Sequence, residues 1–317
     1  FIDLFAQNEE DLKLVKNTPG AALKSSRLKI GLKNGEMPGE KIIQVLRKNE
    51  VRYLFLNGGN DTAENAELIA ELARKENYEL IVIHIPKTID NDLRGSDHTP
   101  GYGSAAKYVA CTFLGNNFEN ISLGGVEIDI MIGRDAGFLT AASALARQRE
   151  GDGPHLIYVP EIPFSNERFL GDLNNTLTKY GRAVAAVSEG IKNENLMPIG
   201  WDGTYYEYGN YKLSGALLAS RLEEIVKGSK ITKRLIVAPL GYPQRHSCIF
   251  AVSEQDRKEA YEVGREAVRV AMNGSKSTSI AIQRSKDSKY DFYFETVHLD
   301  YVARKTKSMP EKFLSPS

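Results

Sequence analysis

The sequence predicts an α/β protein built on doubly wound parallel sheet, and three observations lead to that class. Short runs rich in valine, isoleucine and leucine recur at 51–57, 80–85, 125–132, 184–187 and 235–240, each ending at glycine, proline or a polar turn. Apolar runs of this length read as strands buried on both faces. Between several of them lie stretches with helical spacing, so that strand, loop and helix repeat along the chain. The polar residues bunch directly after the strand ends, where open α/β sheets place their ligands.

Taken in order, the strand at 51–57 closes on Gly58-Gly59, and a helix at 63–75 follows with Ala66, Ile69, Ala70 and Ala73 on one face. Asp61 or Thr62 is positioned to cap it. The next strand, 80–85, stops at Pro86, and another spans 125–132. The alanine-rich stretch 137–148 reads as a helix packed closely on the sheet. Short strands at 156–159 and 184–187 end at Pro160-Glu161 and Ser188-Glu189. A helix at 214–227, a strand at 235–240 and a long amphipathic helix at 253–272 continue the pattern, and an antiparallel pair is expected near 279–283 and 291–298.

A chain of 317 residues holds one large or two medium α/β domains. No proline- or serine-rich linker separates halves, so the expected boundary is the loop 150–154, Glu-Gly-Asp-Gly-Pro. Acidic and basic residues number 41 each, which argues against a broad cationic surface for nucleic acid or membrane. The two cysteines, Cys111 and Cys248, are far apart among apolar residues and read as core positions rather than as a disulfide or metal site. No run reaches the ~18 apolar residues of a membrane span, and no signal-peptide pattern opens the chain, so a cytoplasmic protein is expected. The chain begins at Phe1 rather than methionine, which suggests a fragment or a renumbered chain.

The densest chemistry lies at 86–92, Pro-Lys-Thr-Ile-Asp-Asn-Asp. One cation (Lys87), one hydroxyl (Thr88) and two carboxylates (Asp90, Asp92) at a strand's carboxyl end are equipment for phosphate, a metal ion and a proton, and so point to phosphoryl transfer. Gly58-Gly59-Asn60-Asp61-Thr62 stands between strand and helix, where backbone approaches an anion and the helix N-terminus attracts it. A carboxylate at such a site fits metal-bound phosphate; the alternative is that Asp61 merely caps the helix. Gly133-Arg134-Asp135-Ala136-Gly137 opens another helix, with Arg134 either clamping a phosphate or making a structural ion pair. Glu161 and Glu189 are single carboxylates at strand ends, suited to sugar hydroxyls or to helix caps. Gly241-Tyr242-Pro243-Gln244-Arg245-His246 offers a phenol, an amide and a guanidinium, a set suited to a sugar phosphate. The five histidines show no zinc spacing, and neither a Gly-x-Ser-x-Gly elbow nor a Walker loop is present.

In sequence order, 58–62, 86–92, Gly-Arg-Asp-Ala-Gly-Phe-Leu-Thr-Ala-Ala at 133–142, Pro-Glu-Ile-Pro-Phe at 160–164, Ser-Glu-Gly at 188–190 and Leu-Gly-Tyr-Pro-Gln-Arg at 240–245 resemble the phosphofructokinase family, most closely its pyrophosphate-dependent branch. The resemblance implies the phosphofructokinase fold, two similar doubly wound, Rossmann-like parallel-sheet domains. Residues 1–150 would be the phosphate-donor domain and 151–317 the sugar-phosphate domain, with the chain free to cross back at its C-terminus. The family's first strand and glycine-rich loop have no counterpart before Phe1.

The resemblance also implies roles. Asp90 would be the general base on the 1-hydroxyl of fructose 6-phosphate, with Thr88 and Asp92 beside it, and Arg27 would bridge the transferred phosphate. Gly58, Gly59, Asn60, Asp61 and Lys87 would bind the donor; Gly133, Arg134 and Glu161 would line the sugar site; Tyr242 and Arg245 would hold the 6-phosphate. Mg2+ would be the cofactor, on Asp61 and Asp92, with Asn60 in place of the usual aspartate. Asp61 and Lys87, which ATP-dependent members typically replace by glycine, imply pyrophosphate as donor: the carboxylate crowds a nucleotide's α-phosphate, and the ammonium pairs with a compact anion. Gly125 and Ile236 occupy the positions from which the family usually sends arginines into a neighbouring subunit, with Arg234 close by. A homodimer or homotetramer is expected, with no nucleic-acid or membrane partner. The rival readings are an ATP-using or differently specific sugar-phosphate kinase, and a catalytically impaired regulatory subunit.

Overall fold

The computed structural model describes residues 2–15, 21, 23–26, 30, 38–205, 211–246, 249–286 and 289–314. After two short helices, α1 (Glu9–Val15) and α2 (Pro38–Lys48), come β1 (Tyr53–Gly58), α3 (Asn60–Lys75), β2 (Ile81–Pro86), α4 (Tyr102–Leu123), β3 (Gly125–Met131), α5 (Phe138–Ala142), β4 (Leu156–Tyr158), α6 (Asn166–Tyr180) and β5 (Arg182–Ser188). The hairpin β6 (Trp201–Tyr205) and β7 (Tyr211–Leu213) leads to α7 (Gly215–Ser229), β8 (Leu235–Pro239), α8 (Pro243–His246), α9 (Glu254–Met272), β9 (Thr278–Arg284), β10 (Phe292–Val297) and α10 (Leu299–Val302).

The strands form two four-stranded sheets. The first runs β1-β2-β9-β10, parallel except for its last pair, and the second runs β4-β5-β3-β8, all parallel. The inner strands β2, β9, β3 and β5 are covered on both faces, as continuous apolar strands require; β1, expected to be buried on both faces, instead lies at the sheet edge with Tyr53 and Phe55 exposed. In the first sheet Val82 joins the cluster under α2 and α3, while its neighbour Ile83 turns to Val263, Ala267 and Val270 of α9. In the second, Val126, Ile128 and Ile130 pack on Phe169 and Leu173 of α6 and on Leu218 and Leu222 of α7, whereas Met131 faces Val109 and Phe113 of α4. The period-two alternation of a strand thus feeds two separate cores.

Sheet membership corrects the expected division at residue 150. The strand Gly125–Met131 pairs with β5 and β8 of the second sheet, and β9 and β10 return to the first. The first unit is therefore discontinuous, and the expected antiparallel pair near the tail forms its edge. Other expectations shift locally. The helix foreseen at 137–148 is α-helical only over Phe138–Ala142 and tightens to a 3-10 turn at Ser143–Ala146, where the Ser143 hydroxyl donates to the Thr140 carbonyl at 2.5 Å and Arg147 leaves in an extended conformation. Gly59, rather than Asp61 or Thr62, stands at the N-cap of α3. Cys111 is exposed on α4 rather than part of the core, and Cys248 lies outside the described residues.

The longest helix, α4, has no side-chain cap of its own: its N-cap is Gly101, at φ +99°, a conformation that favours glycine. Asp256 of α9 supplies the cap from 155 residues away, accepting from the backbone of Gly101 at 2.8 Å and from the backbone of Ser104 at 3.1 Å. This pins the start of α4 against the helix that covers the first sheet. No helix among the described residues is long and apolar enough to cross a membrane.

Candidate active site

Because β1 and β2 are parallel and adjacent, with Gly58 in register with Pro86, the loops that follow them emerge side by side. The Gly58 carbonyl takes the backbone N–H of Lys87 at 2.9 Å and Nε2 of the buried His84 at 3.0 Å, locking the two loops together. Burial holds the His84 imidazole down at about 4, neutral, so Nε2 carries the proton it shares with that carbonyl while Nδ1 meets the Ser279 hydroxyl at 2.7 Å. Within the second loop the Thr88 hydroxyl accepts the Asp90 N–H at 3.2 Å, and Asn91 takes a positive φ that turns the chain between the two aspartates.

The carboxylate-bearing loop after β2 in the first sheet meets the residues that follow β3 and β8 in the second, and the space between them is the candidate cleft. Burial raises the Asp90 carboxyl, and the cations that oppose that rise are Arg245 after β8, Arg134 after β3 and Lys87. Its Oδ1 is buried with no hydrogen-bond partner among the described residues. Asp92 is pushed up as well, to about 7, by burial and then by Asp90 and Asp135, against the hydrogen bond from Asn60. That bond, Asn60 Nδ2 to Asp92 Oδ2, is 2.8 Å and joins the start of α3 to the Asp92 loop. It leaves Asn60 Oδ1 and Asp92 Oδ1 buried without partners among the described residues. Asp61, one residue on, is exposed in the first turn of α3, so Asn60 is the side chain of this loop that meets Asp92. Lys87 is exposed at the mouth; partial desolvation and then Arg245 lower its ammonium, while Asp90 works the other way.

On the opposite wall Arg134 pairs with Asp135 at 3.0 Å, and Gly133 offers its N–H to Glu189 at 3.5 Å. The Glu189 carboxyl is raised by burial and, among charges, by Asp90. Gly190 passes so close to the backbone of Arg134 that a Cβ would collide with it, which is what lets the loops after β3 and β5 touch. Glu161, after β4, accepts the N–H of Gly137 and the N–H of Met309 on one oxygen, both at 3.0 Å, and its other oxygen is buried and unpartnered. Tyr242 and Arg245 stand exposed at the rim, the guanidinium 5.4 Å from the ring centroid. Gln244 is buried instead and takes the Ile132 N–H on its side-chain oxygen, fixing α8 against the end of β3.

The structure therefore brings Lys87, Thr88, Asp90, Asp92, Asn60, Gly133, Arg134 and Arg245 to one cleft, with Glu161 on its far wall. Arg27 lies outside the described residues. Glu189 was visible in sequence only as a single carboxylate at a strand end and Asp135 only as part of the 133–137 motif, and their coupling to Asp90 and Asp92 depends on packing between distant strands. Arg234 sits before β8, at the opposite end of the strand from Tyr242, where it donates to the Gly124 carbonyl at 2.9 Å and to Glu119 at 3.2 Å.

Two doubly wound sheets whose loops bring together a carboxylate with one buried, unpartnered oxygen, three cations and further unpartnered side-chain oxygens define an α/β phosphotransferase. The family model for phosphofructokinase matches residues 3–271, and the chain belongs to that family. It is 43% identical, over 99% of its length and 78% of the relative's, to the pyrophosphate–fructose 6-phosphate 1-phosphotransferase of Rhodospirillum rubrum. It is 31% identical to the sulfofructose kinase of Alkalicoccus urumqiensis over 93% of this chain and 74% of the relative. The crystal structure of the pyrophosphate-dependent phosphofructokinase from Marinobacter aquaeolei superimposes with a TM-score of 0.84 at 32% identity, covering 98% of this chain and 73% of that one. The resemblance drawn from the six motifs is met by the family, and the similarity extends to its pyrophosphate-dependent members.

Proposed function

We propose that the protein transfers a phosphoryl group from pyrophosphate to the 1-hydroxyl of fructose 6-phosphate, reversibly, to give fructose 1,6-bisphosphate. The observation that carries the reading is the Asp90 carboxylate, with one buried, unpartnered oxygen, placed among Arg245, Arg134 and Lys87. That oxygen accepts the proton of the attacking hydroxyl as the new oxygen–phosphorus bond forms and the bridging bond of pyrophosphate breaks. Burial makes Asp90 a stronger base than a solvated aspartate, while the cations keep it able to ionise. Little covalent work falls to the protein; positioning and charge neutralisation supply most of the acceleration.

Lys87, at the mouth between the two loops, and Asp61, exposed at the start of α3, are assigned to donor choice. Gly58 and Gly59 let the donor approach the backbone, and Arg27 is assigned to the transferred phosphate. Thr88 braces the loop, Gly133 and Arg134 border the sugar, and the unpartnered oxygen of Glu161 accepts a sugar hydroxyl. Tyr242 and Arg245 are assigned to the 6-phosphate, the more so because Arg234 is engaged elsewhere.

Among the described residues no group of three or more histidine, cysteine, aspartate or glutamate side chains is arranged to hold a metal ion. A phosphate-bound Mg2+ needs only one or two protein oxygens, and the buried, unpartnered Asn60 Oδ1 and Asp92 Oδ1 fit that demand. Asp92, with Asn60 and with Asp61 at the mouth, is therefore assigned to Mg2+, which when bound neutralises charge on pyrophosphate. The reading includes a cytoplasmic location and a homodimer or homotetramer; exposed Phe118, Ile121 and Leu123 near the end of α4 support association.

Replacing the base tests the assignment. Asp90→Ser should lower turnover by about 10²–10⁴-fold while the KM for fructose 6-phosphate changes little; near-normal turnover removes Asp90 from the role.

A further inference from the structure

The chain beyond α10 enters the cleft. Thr306 pairs with Leu93 in an antiparallel bridge, one residue past Asp92. The backbone N–H of Lys307 donates to the Asp92 carbonyl at 2.6 Å. The Lys307 ammonium donates to the carbonyls of Ser96 at 2.9 Å and Asp97 at 2.8 Å, and lies 5.0 Å from the centroid of the Phe138 ring. Two residues later the Met309 N–H reaches Glu161, and the Met309 side chain is buried. Four consecutive residues thus hold the loop of the two aspartates, the first residue of α5 and the carboxylate after β4.

The chemistry of these contacts assigns Lys307 to positioning rather than to phosphate binding. An ammonium has three N–H donors, and here two carbonyl oxygens and a ring face take up its capacity. Ser96 and Asp97 direct successive carbonyl dipoles at one point, an arrangement a cation satisfies and an apolar side chain leaves unpaired at a cost. Met309 fixes one oxygen of Glu161 and leaves the other for the acceptor. The strap spans the two sheets, so its length sets the separation of their walls.

We infer that residues 306–309 form a strap that fixes the distance between the Asp90–Asp92 loop and Glu161, with Lys307 as a positioning residue for the acceptor sugar phosphate. The inference rests on the phosphotransferase reading. It requires the larger effect to fall on the acceptor side: Lys307 meets the loop after β2 at backbone carbonyls, and the strap's other contacts, with Phe138 and Glu161, lie on the wall assigned to the sugar.

Lys307→Met keeps the aliphatic stem and removes the charge. With pyrophosphate and fructose 6-phosphate as substrates, kcat/KM for the sugar phosphate should fall about 10²-fold, while the KM for pyrophosphate stays within about twofold. Lys307→Arg should recover at least about tenfold of the loss. Amide hydrogen exchange in 92–97 should accelerate in Lys307→Met, a readout that needs no turnover. A folded Lys307→Met protein with sugar-phosphate kinetics within about twofold of the parent overturns the inference, as does a loss shared equally by the pyrophosphate KM and not relieved by arginine. If the parent protein transfers nothing to fructose 6-phosphate, the proposed reaction falls on that measurement, and unchanged exchange in 92–97 separately removes the strap.

Discussion

Asp90 and Asp92 are two residues apart in one buried loop, and their surroundings give them different work. Burial raises both, but Asp90 has Arg245, Arg134 and Lys87 to support its charge, whereas Asp92 faces Asp90 and Asp135 and is pushed up to about 7. A base must hold its charge until the hydroxyl arrives, which suits Asp90; Asp92 gains most from a bound cation. At the same scale, Asp61→Gly combined with Lys87→Gly should relax the donor block. ATP-supported turnover is expected to rise in the double variant and pyrophosphate-supported turnover to fall; unchanged exclusion of ATP counts against the donor assignment. The motif residues were legible in sequence because each follows a strand directly. The Asn60–Asp92 pairing was not, since which of Asn60 and Asp61 faces the cleft depends on where α3 begins, and it begins at Asn60 itself.

At the level of elements, α4 shows how a helix escapes sequence reading. Its flanks carry little charge and its buried face includes Asn117 and Asn120, so no amphipathic stripe marks it. Those asparagines meet Arg182 at 3.0 and 3.3 Å, and Asn117 accepts the Gly153 N–H at 2.8 Å, partners that no local pattern reveals. The start of α4 depends on Asp256 in the same way. Asp256→Ala should cost about 1–3 kcal/mol, measured by denaturant unfolding, because it strips acceptors from Gly101 and Ser104 together. A loss below about 0.5 kcal/mol, the usual range for a surface change, would mean that water caps the helix adequately. The strands of the two large sheets, by contrast, were readable, since short apolar runs bounded by turns have few alternatives in a protein of this class; the hairpin of β6 and β7 was not, because its exposed polar and aromatic residues form no such run.

Across the whole molecule, the chain starts the first sheet, builds the second and returns; the family resemblance allowed for the return, but the place of Gly125–Met131 in the second sheet depends on strand partners chosen by long-range packing. The return also creates an ion cluster between α9, the tail strands and the loop before α4. His98 lies 2.9 Å from Asp97 and 2.6 Å from the buried Glu259 of α9, and Tyr290 donates to the same glutamate. Burial opposes charge on His98, but its hydrogen bonds to Asp97 and Glu259 outweigh it and raise the imidazolium to about 9. The folded pKa exceeds the unfolded one, so the stabilisation is complete below the ordinary histidine range of about 6.5 and fades as pH rises through about 9. The melting temperature should therefore decline between these limits, and His98→Gln should remove that part of the decline; an identical slope in the variant assigns it to other groups. Purified protein given fructose 6-phosphate and Mg2+ with either pyrophosphate or ATP shows whether this cleft uses pyrophosphate to phosphorylate fructose 6-phosphate. Fructose 1,6-bisphosphate should form with pyrophosphate, at a kcat/KM at least about 10²-fold above that with ATP; preference for ATP, or no product with either donor, rules out the proposed reaction.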